Sequence, residues 1–92
     1  MERVVIFGSP GSGKSTFATA LGQRLALPVI YLDTLFYEPD WVPGDEDRFR
    51  ARLVEAMAGG RWITEGNFLD ATAELRLPLA DTVIWLEQPA LA

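Results

Sequence analysis

Four short runs of largely apolar, β-branched or aromatic residues divide this 92-residue chain, and each stops at a glycine or an acidic residue. A strand buried on both faces has this continuous apolar character, whereas a strand with one solvated face alternates between apolar and polar residues. The predicted strands span residues 4–7, 29–32, 62–64 and 82–86. A sheet made of such strands needs helices on both of its faces.

Segments with helical periodicity lie between the predicted strands. The predicted helices span residues 14–26, residues 45–58 and residues 71–77. The first of them places Phe17, Leu21 and Leu25 on one apolar stripe. Residues 33–47 hold six acids and no base, and we expect a long irregular loop there. The alternation of strands and helices predicts a single α/β domain whose parallel strands are joined by right-handed crossovers.

The composition excludes several kinds of chemistry. The chain has no cysteine and no histidine, so it lacks disulfides, Cys/His zinc sites, thiol nucleophiles and imidazole bases. Its net charge of −5 disfavours binding to nucleic acid, which depends on a basic surface. The apolar stretches are too short for a membrane span, and the N-terminal one is too short for a secretory signal. We therefore expect a cytoplasmic protein with no membrane partner.

A glycine-rich segment connects the first predicted strand to the first predicted helix. Its sequence, Gly8-Ser9-Pro10-Gly11-Ser12-Gly13-Lys14-Ser15, matches the phosphate-binding pattern G-x-x-x-x-G-K-[ST] at every specified position. The position between a strand and a helix is the one that this pattern requires. The alternative is a glycine-rich turn that contains a lysine incidentally.

Each specified position has a physical role in a loop of this kind. Gly8, Gly11 and Gly13 allow positive φ angles, so that consecutive N–H groups can point into one concavity. Lys14, the only lysine in the chain, supplies positive charge to the β- and γ-phosphates, and the Ser15 hydroxyl is a ligand for Mg²⁺. The predicted phosphate-binding residues are Gly8, Ser9, Pro10, Gly11, Ser12, Gly13, Lys14, Ser15 and Thr16.

Acidic residues directly follow three of the predicted strands. Mg²⁺ takes carboxylate ligands in addition to a serine hydroxyl, and Asp33 and Glu65 lie close to the loop if their strands flank the first strand. We assign Glu65 to the metal together with Ser15. The alternatives are a solvated acid in a turn for Glu65 and a cap on the following segment for Asp33. Glu87 is assigned to the surface.

Arginines supply a second group of candidates, because a guanidinium binds anionic groups in a bidentate manner. Arg76 follows the third strand and is the best placed to contact a substrate, with an exposed helix charge as the alternative. Arg48, Arg50 and Arg52 are predicted to form a solvated helix face.

Aromatic residues are concentrated in two kinds of segment. Phe36, Tyr37 and Trp41 lie in the acidic segment, where they could stack on a planar substrate or cover a small core. Trp62 and Trp85 lie in predicted strands, and we expect both in the core.

Several segments together resemble a known family. These segments are Gly8 to Ser15, Tyr31-Leu32-Asp33-Thr34-Leu35-Phe36, Trp41-Val42-Pro43, Trp62-Ile63-Thr64-Glu65-Gly66-Asn67-Phe68, Arg76 and Ala80-Asp81-Thr82-Val83-Ile84-Trp85-Leu86. They resemble the adenylate-kinase-related P-loop NTPases of the topology modulation protein type over essentially the whole chain. The resemblance implies a nucleoside-monophosphate-kinase-like, three-layer α/β/α fold, with the first strand between the third and the fourth. It also implies ATP and Mg²⁺, with a small acceptor near Asp33, Asn67 and Arg76.

The chain departs from the family pattern at two points. Family members usually carry Asp-Gly-Asn where this chain has Glu65-Gly66-Asn67, and the added methylene shifts any metal or water contact. The family also continues into an arginine-bearing lid, a further helix and a fifth strand. We therefore expect residues 1–92 to be the truncated nucleotide-binding part of such a domain, or a homo-oligomer in which another copy covers the exposed sheet edge.

The predicted function is transfer of the ATP γ-phosphoryl group to a small acceptor, such as a nucleoside monophosphate. The predicted catalytic residues are Lys14 at the phosphates, Asp33 at an acceptor hydroxyl and Arg76 at an anionic group. A nucleotide-binding module with little catalysis is the first alternative, because the lid is absent. A DNA-associated regulator is the second alternative, and the acidic charge disfavours it.

Overall fold

The four predicted strands form one parallel sheet in the computed structural model, which describes residues 1–9, 11–38, 42–43 and 45–87. In chain order the elements are β1 (Arg3–Gly8), α1 (Lys14–Leu25), β2 (Val29–Tyr31), α2 (Leu32–Phe36), β3 (Tyr37–Glu38), β4 (Val42–Pro43), α3 (Glu46–Ala56), β5 (Trp62–Glu65), α4 (Leu69–Arg76), a 3₁₀ turn (Leu77–Leu79) and β6 (Thr82–Leu86). The predicted α/β class and the parallel sheet are confirmed.

The sheet has the order β2-β5-β1-β6, so β1 is internal and β6 lies at one edge. This is the order that the resemblance implies. In register, Ile6 of β1 lies opposite Glu65 of β5, and Gly8 lies opposite Leu86 of β6. Because the strands are parallel, the segments that follow their carboxyl ends meet at one edge of the sheet. The loop after β1 and the segment after β5 are therefore neighbours.

Helices cover both faces of the sheet. On one face, α1 packs over a cluster of Val4, Ile6, Ala18, Leu27 and Ile63. On the other face, α2, α3 and α4 pack over a larger cluster built on Val5, Ile30, Leu32, Phe49, Leu53, Met57 and Trp62. None of the helices in the described ranges has the length and the apolar character needed to cross a membrane.

The segment predicted as an irregular loop contains regular structure. β2 ends at Tyr31, and Leu32 begins α2 instead of extending the strand. The Thr34 hydroxyl donates to the Tyr31 carbonyl at 2.7 Å, a local contact at the start of α2, and Leu32 is 0% exposed there. The short strands β3 and β4 then pair antiparallel. The loop prediction is wrong for residues 33–38 and 42–43, and its remaining residues before α3 lie partly outside the described ranges.

The helix predicted to begin at residues 45–47 is confirmed as α3. Asp45 caps it, because its carboxylate accepts a hydrogen bond from the Asp47 N–H at 2.7 Å. The acidic first turn also complements the helix dipole.

The arginines of α3 are less solvated than predicted. Arg50 donates to the Ala71 carbonyl at 2.6 Å, and Arg52 donates to the Leu35 carbonyl at 2.9 Å. These contacts arise because α3 packs against both α2 and α4, whose carbonyls come within reach. The prediction of a solvated face is wrong for these two side chains, whereas Arg48 is exposed.

Two aromatic side chains expected in the interior are exposed. Phe17 is 38% exposed, because the buried residues of α1 are Ala18 and Gly22. Trp85 is 52% exposed, because β6 is an edge strand. Trp62 is 1% exposed, so its predicted place in the core is confirmed.

Candidate functional site

The glycine-rich segment forms a tight loop between β1 and α1. The Ser9 N–H donates to the Leu86 carbonyl of β6 at 3.0 Å, and the Ser12 N–H donates to the Ser9 carbonyl at 3.2 Å. The chain then enters α1 through Gly13, whose carbonyl accepts the first helical hydrogen bond at 2.9 Å. Pro10, one of the predicted ATP-binding residues, lies outside the described residues.

Two glycines are required in this loop for different reasons. Gly13 caps α1 with φ 86°, a left-handed conformation that residues with a Cβ rarely adopt. Gly8 lacks the positive φ that we expected, but a Cβ there would lie 1.9 Å from the Leu86 carbonyl oxygen. The loop therefore begins where β1 and β6 approach too closely for a side chain. Gly11, with φ 77°, follows the prediction.

A cleft of about 520 Å³ opens beside this loop. Its walls come from the loop, the start of α1, the start of α2 and the segment after β5. Among the lining residues are Lys14, Ser15, Thr16, Asp33, Glu65 and Asn67. The structure thus brings predicted phosphate-binding residues and both predicted carboxylates into one cleft.

The start of α1 forms one wall of the cleft, and this wall is electropositive. The N–H groups in the first turn of a helix have no partner within the helix, and in α1 they belong to the lining residues Lys14, Ser15 and Thr16. That turn has no acidic residue, so the positive end of the helix dipole is uncompensated by its own side chains. Lys14 Nζ donates to the Ser9 carbonyl at 3.3 Å, which holds the ammonium group over the loop. This wall suits an anion.

Glu65 and Ser15 are in contact inside the cleft. Glu65 is 6% exposed, and its carboxylate is hydrogen-bonded to the Ser15 side chain. Burial raises the pKa of Glu65 above its ordinary value, the Ser15 hydrogen bond lowers it, and the negative charge of Asp33 raises it further. A solvated acid in a turn, the alternative interpretation, does not describe a carboxylate in these surroundings.

Asp33 lines the cleft from the first turn of α2. Its side chain is exposed, and it is close enough to Glu65 to affect the pKa of that carboxyl. The predicted position directly after a strand is wrong, because the backbone is already helical there. The capping alternative is wrong for Asp33, because Tyr31 is the N-cap of α2 and no described side chain caps this helix end; as an acid in the first turn, Asp33 only favours the helix dipole.

Arg76 is inside the protein, on the side of the segment after β5 that faces away from solvent. It is 0% exposed, its Nε donates to the Thr72 hydroxyl at 2.9 Å, and its Nη1 donates to the Gly66 carbonyl at 3.2 Å. Its Nη2 donates to the Asn67 carbonyl at 2.5 Å. Burial lowers the pKa of Arg76 to about 10, partly opposed by Glu65, so the group stays charged at neutral pH. Both sequence interpretations, a substrate contact and an exposed helix charge, are corrected by this position. The guanidinium is buried, hydrogen-bonds to the backbone after β5 and is not among the residues that line the cleft.

Asn67 has a contact that sequence reasoning missed. The resemblance implies a position near the acceptor, but Nδ2 donates to the Gly8 carbonyl at 3.0 Å, and the Gly8 N–H donates to Oδ1 at 3.1 Å. The strand register contains the signal for this contact. Ile6 lies opposite Glu65, so Gly8 and Asn67, each two residues further along, are neighbours.

Phe36 and Tyr37, the described aromatic residues of the acidic segment, are in contact with each other and are not among the residues that line the cleft. Phe36 packs against the rings of Tyr37, Phe49 and Phe68, with centroids 5.0–5.2 Å apart. These contacts favour core covering over substrate stacking for Phe36. Phe68 belongs both to this cluster and to the cleft lining. Trp41 lies outside the described residues.

The oxygen donors of the cleft fit a Mg²⁺ ion that is also held by the phosphates of a substrate. In the described part of the chain, no group of three or more His, Cys, Asp or Glu residues could hold a metal ion. Mg²⁺ usually keeps several waters and binds through one or two carboxylates plus substrate phosphates. Ser15 and Glu65 match that donor set. Glu87 is exposed and accepts a hydrogen bond from Trp85 Nε1 at 2.8 Å, in agreement with its surface assignment.

No protein-family model matches the chain, and no curated protein sequence matches it. The function therefore has to be argued from the motif, the cleft and the chemistry of the residues in it.

Proposed function

We propose that this protein is a P-loop protein that binds ATP with Mg²⁺ and transfers the γ-phosphoryl group to a small acceptor. The observation that carries the proposal is that the glycine-rich loop and the buried Glu65 carboxylate meet in one cleft. A glycine turn with a purely structural role would need neither the cleft nor a carboxylate in contact with Ser15. The motif also lies between β1 and α1, as a phosphate loop requires.

Binding of the phosphates is assigned to the loop and the first turn of α1. The N–H groups of that turn and the helix dipole attract an anion without any side chain. Lys14, which donates to the Ser9 carbonyl at 3.3 Å, adds a flexible positive charge for the β- and γ-phosphates. Its side chain has to exchange only one neutral hydrogen bond for a contact with the phosphates.

Ser15 and Glu65 are the residues that would hold Mg²⁺. Their oxygen atoms are the hard donors that this ion prefers. When bound, Mg²⁺ neutralises charge on the β- and γ-phosphates during phosphoryl transfer. Both residues line the cleft, and the Ser15 side chain is hydrogen-bonded to the Glu65 carboxylate.

Asp33 is the residue assigned to the acceptor. It faces the loop across the cleft and is exposed, so it can contact a second small molecule. If the acceptor is an alcohol, Asp33 orients or deprotonates the hydroxyl that attacks phosphorus. If the acceptor is itself a phosphate, no base is required and Asp33 only positions the acceptor.

A nucleotide-binding module with little turnover is the second candidate, and the position of Arg76 favours it. Within the described residues, Lys14 is the one cationic side chain in the cleft lining. Phosphoryl transfer usually requires further positive charge near the γ-phosphate in the transition state. Binding requires less, because the loop amides supply most of the contacts.

Replacing Lys14 with alanine tests the phosphate site that both candidates share. Loss of a charge-assisted contact to phosphate should weaken ATP·Mg²⁺ binding roughly 10- to 100-fold in isothermal titration calorimetry. Arg24→Ala is the matched control, since Arg24 is an exposed cation in the last turn of the same helix. Equal affinities for wild type and Lys14→Ala would contradict the proposed site.

Release of ADP separates the two candidates. The assay compares a panel of nucleoside monophosphates and small alcohols with a reaction that contains water alone. Acceptor-dependent release above the water background supports phosphoryl transfer. ATP binding without such release supports the module instead.

A further inference from the structure

We propose that Asn67 is a positioning residue that fastens Gly8, the first residue of the phosphate loop, to the segment that follows β5. The inference rests on the proposed function of that loop. It assigns Asn67 to the loop backbone, whereas the resemblance places the same residue near the acceptor.

The contact between Asn67 and Gly8 is reciprocal. The side-chain amide donates to the Gly8 carbonyl at 3.0 Å and accepts from the Gly8 N–H at 3.1 Å. One planar amide therefore binds both backbone polar groups of a single residue, which fixes the orientation of that residue more firmly than one hydrogen bond does. A Cβ at Gly8 would lie 1.9 Å from the Leu86 carbonyl oxygen, so Gly8 lies close to β6 as well as to the Asn67 amide.

The backbone of Asn67 is itself held in place. Arg76 donates to the carbonyls of Gly66 and Asn67, and the Gly66 N–H donates to the Ile6 carbonyl at 3.1 Å. Arg76 is 0% exposed and also donates to the Thr72 hydroxyl, so it cannot move without leaving buried partners unpaired. The anchor for the loop is thus the buried framework of β5 and α4.

This anchor links the two halves of the proposed metal site. Glu65 precedes Asn67 by two residues, whereas Ser15 belongs to α1, which begins directly after the loop. A loop that shifts relative to β5 changes the distance between these two side chains. Asn67 joins the β5 segment directly to the first residue of the loop, so it opposes that shift.

The contact itself can be tested in the ligand-free protein. Hydrogen exchange of the Gly8 amide, followed by nuclear magnetic resonance, should accelerate at least about tenfold in Asn67→Ala, because the hydrogen-bond acceptor is lost. Asn67→Asp loses the donor to the Gly8 carbonyl and places a carboxylate oxygen against it, so the Gly8 amide should also lose protection in that variant. Gln23→Ala, which removes an exposed side-chain amide from α1, should leave the Gly8 amide protected. Equal protection in wild type and Asn67→Ala, or an equal loss of protection in Gln23→Ala, would overturn the inference.

The consequence for the loop is tested by ATP·Mg²⁺ affinity in isothermal titration calorimetry. Removing the two hydrogen bonds should weaken binding about tenfold in Asn67→Ala. Gln23→Ala is the matched control, because it removes another primary amide from an exposed position on α1. Thermal unfolding of each variant confirms that the compared proteins are folded.

The two possible failures are distinguishable. If wild type binds ATP·Mg²⁺ and Asn67→Ala binds it equally well, the positioning role is wrong and the proposed function stands. If wild type does not bind ATP·Mg²⁺, the proposed function is wrong and the positioning role falls with it, whatever the Gly8 amide does.

Discussion

β5 and β6 flank β1 on opposite sides, yet their exposure to solvent differs. All four residues of β5 are buried, whereas β6 alternates between half-buried and exposed residues. Each strand contains a tryptophan, Trp62 in β5 and Trp85 in β6. A glutamate also lies at the carboxyl end of each strand, Glu65 for β5 and Glu87 for β6. The same residue types can therefore be compared in two surroundings of one sheet.

Position in the sheet accounts for the contrast. β5 lies between β2 and β1, and its side chains enter the apolar clusters on both faces. β6 is an edge strand: Ile84 and Leu86 pack against the cluster under α1, whereas Val83 and Trp85 are 51% and 52% exposed. A continuously apolar sequence is therefore compatible with a strand that has one exposed face.

The same difference determines which glutamate enters the cleft. Glu65 is buried beside Ser15, and burial raises the pKa of its carboxyl by disfavouring the charged form. Glu87 is exposed and accepts a hydrogen bond from Trp85. Chemistry that depends on a desolvated carboxylate can use the first residue and not the second.

Trp62→Ala should have the largest effect on stability. Trp62 is 1% exposed within the larger core cluster, and truncation of a buried tryptophan costs about 3–5 kcal/mol. That loss is a large part of the total free energy of unfolding of a small domain. The free energy of unfolding of the variant, measured in urea, should therefore fall close to zero. A loss below about 1 kcal/mol would show that β5 is not the centre of the core.

Trp85→Ala should have a smaller effect in the same measurement. Trp85 is half exposed, but its ring packs edge-to-face on Phe7 with centroids 4.9 Å apart. We expect a loss of about 1–2 kcal/mol from the buried part of the ring and this aromatic contact. A loss as large as that of Trp62→Ala, with a dependence on protein concentration, would mean that another copy of the chain covers β6 in solution.

The sequence predicts the strands, α1 and α3 because their signals are local. Continuous apolar runs, the Asp45 cap and the glycine-rich motif can each be recognised within a few residues of chain. The apolar run predicts a strand at Leu32, whereas in the structure Leu32 is the first residue of α2, which packs against α3. Propensity in such a short segment gives way to tertiary packing.

The contacts that complete the cleft depend on the register of the strands and on how deeply each side chain is buried. No local sequence pattern contains this information. Asn67 meets Gly8 only because Ile6 is paired with Glu65. Arg76 is predicted to contact substrate because a guanidinium can bind an anionic group in a bidentate manner, whereas in the structure it is 0% exposed. The loop could thus be predicted from sequence, but its anchor could not.

Glu65→Gln should have the smallest effect on stability, and the effect should grow as the pH rises. Burial raises the pKa of Glu65, so the folded protein binds this proton more tightly than the unfolded chain does. The stability that comes from the bound proton is present below the ordinary pKa of 4.5 and is lost as the pH rises through the raised value. Glutamine cannot ionise, so the variant should match wild type at acid pH and exceed its free energy of unfolding at neutral pH.

Glu87→Gln is the control that isolates this effect, since it removes one negative charge from an exposed position. Urea unfolding from acid to neutral pH should show the growing difference for Glu65→Gln and no comparable gain for Glu87→Gln. A Glu65→Gln profile that runs parallel to wild type would contradict the argument. Glu65→Gln should also bind ATP less tightly in the presence of Mg²⁺ if Glu65 is a ligand of that ion. The reason is that a buried, charged carboxylate is destabilised when it is unpaired and is therefore available to pair with a cation.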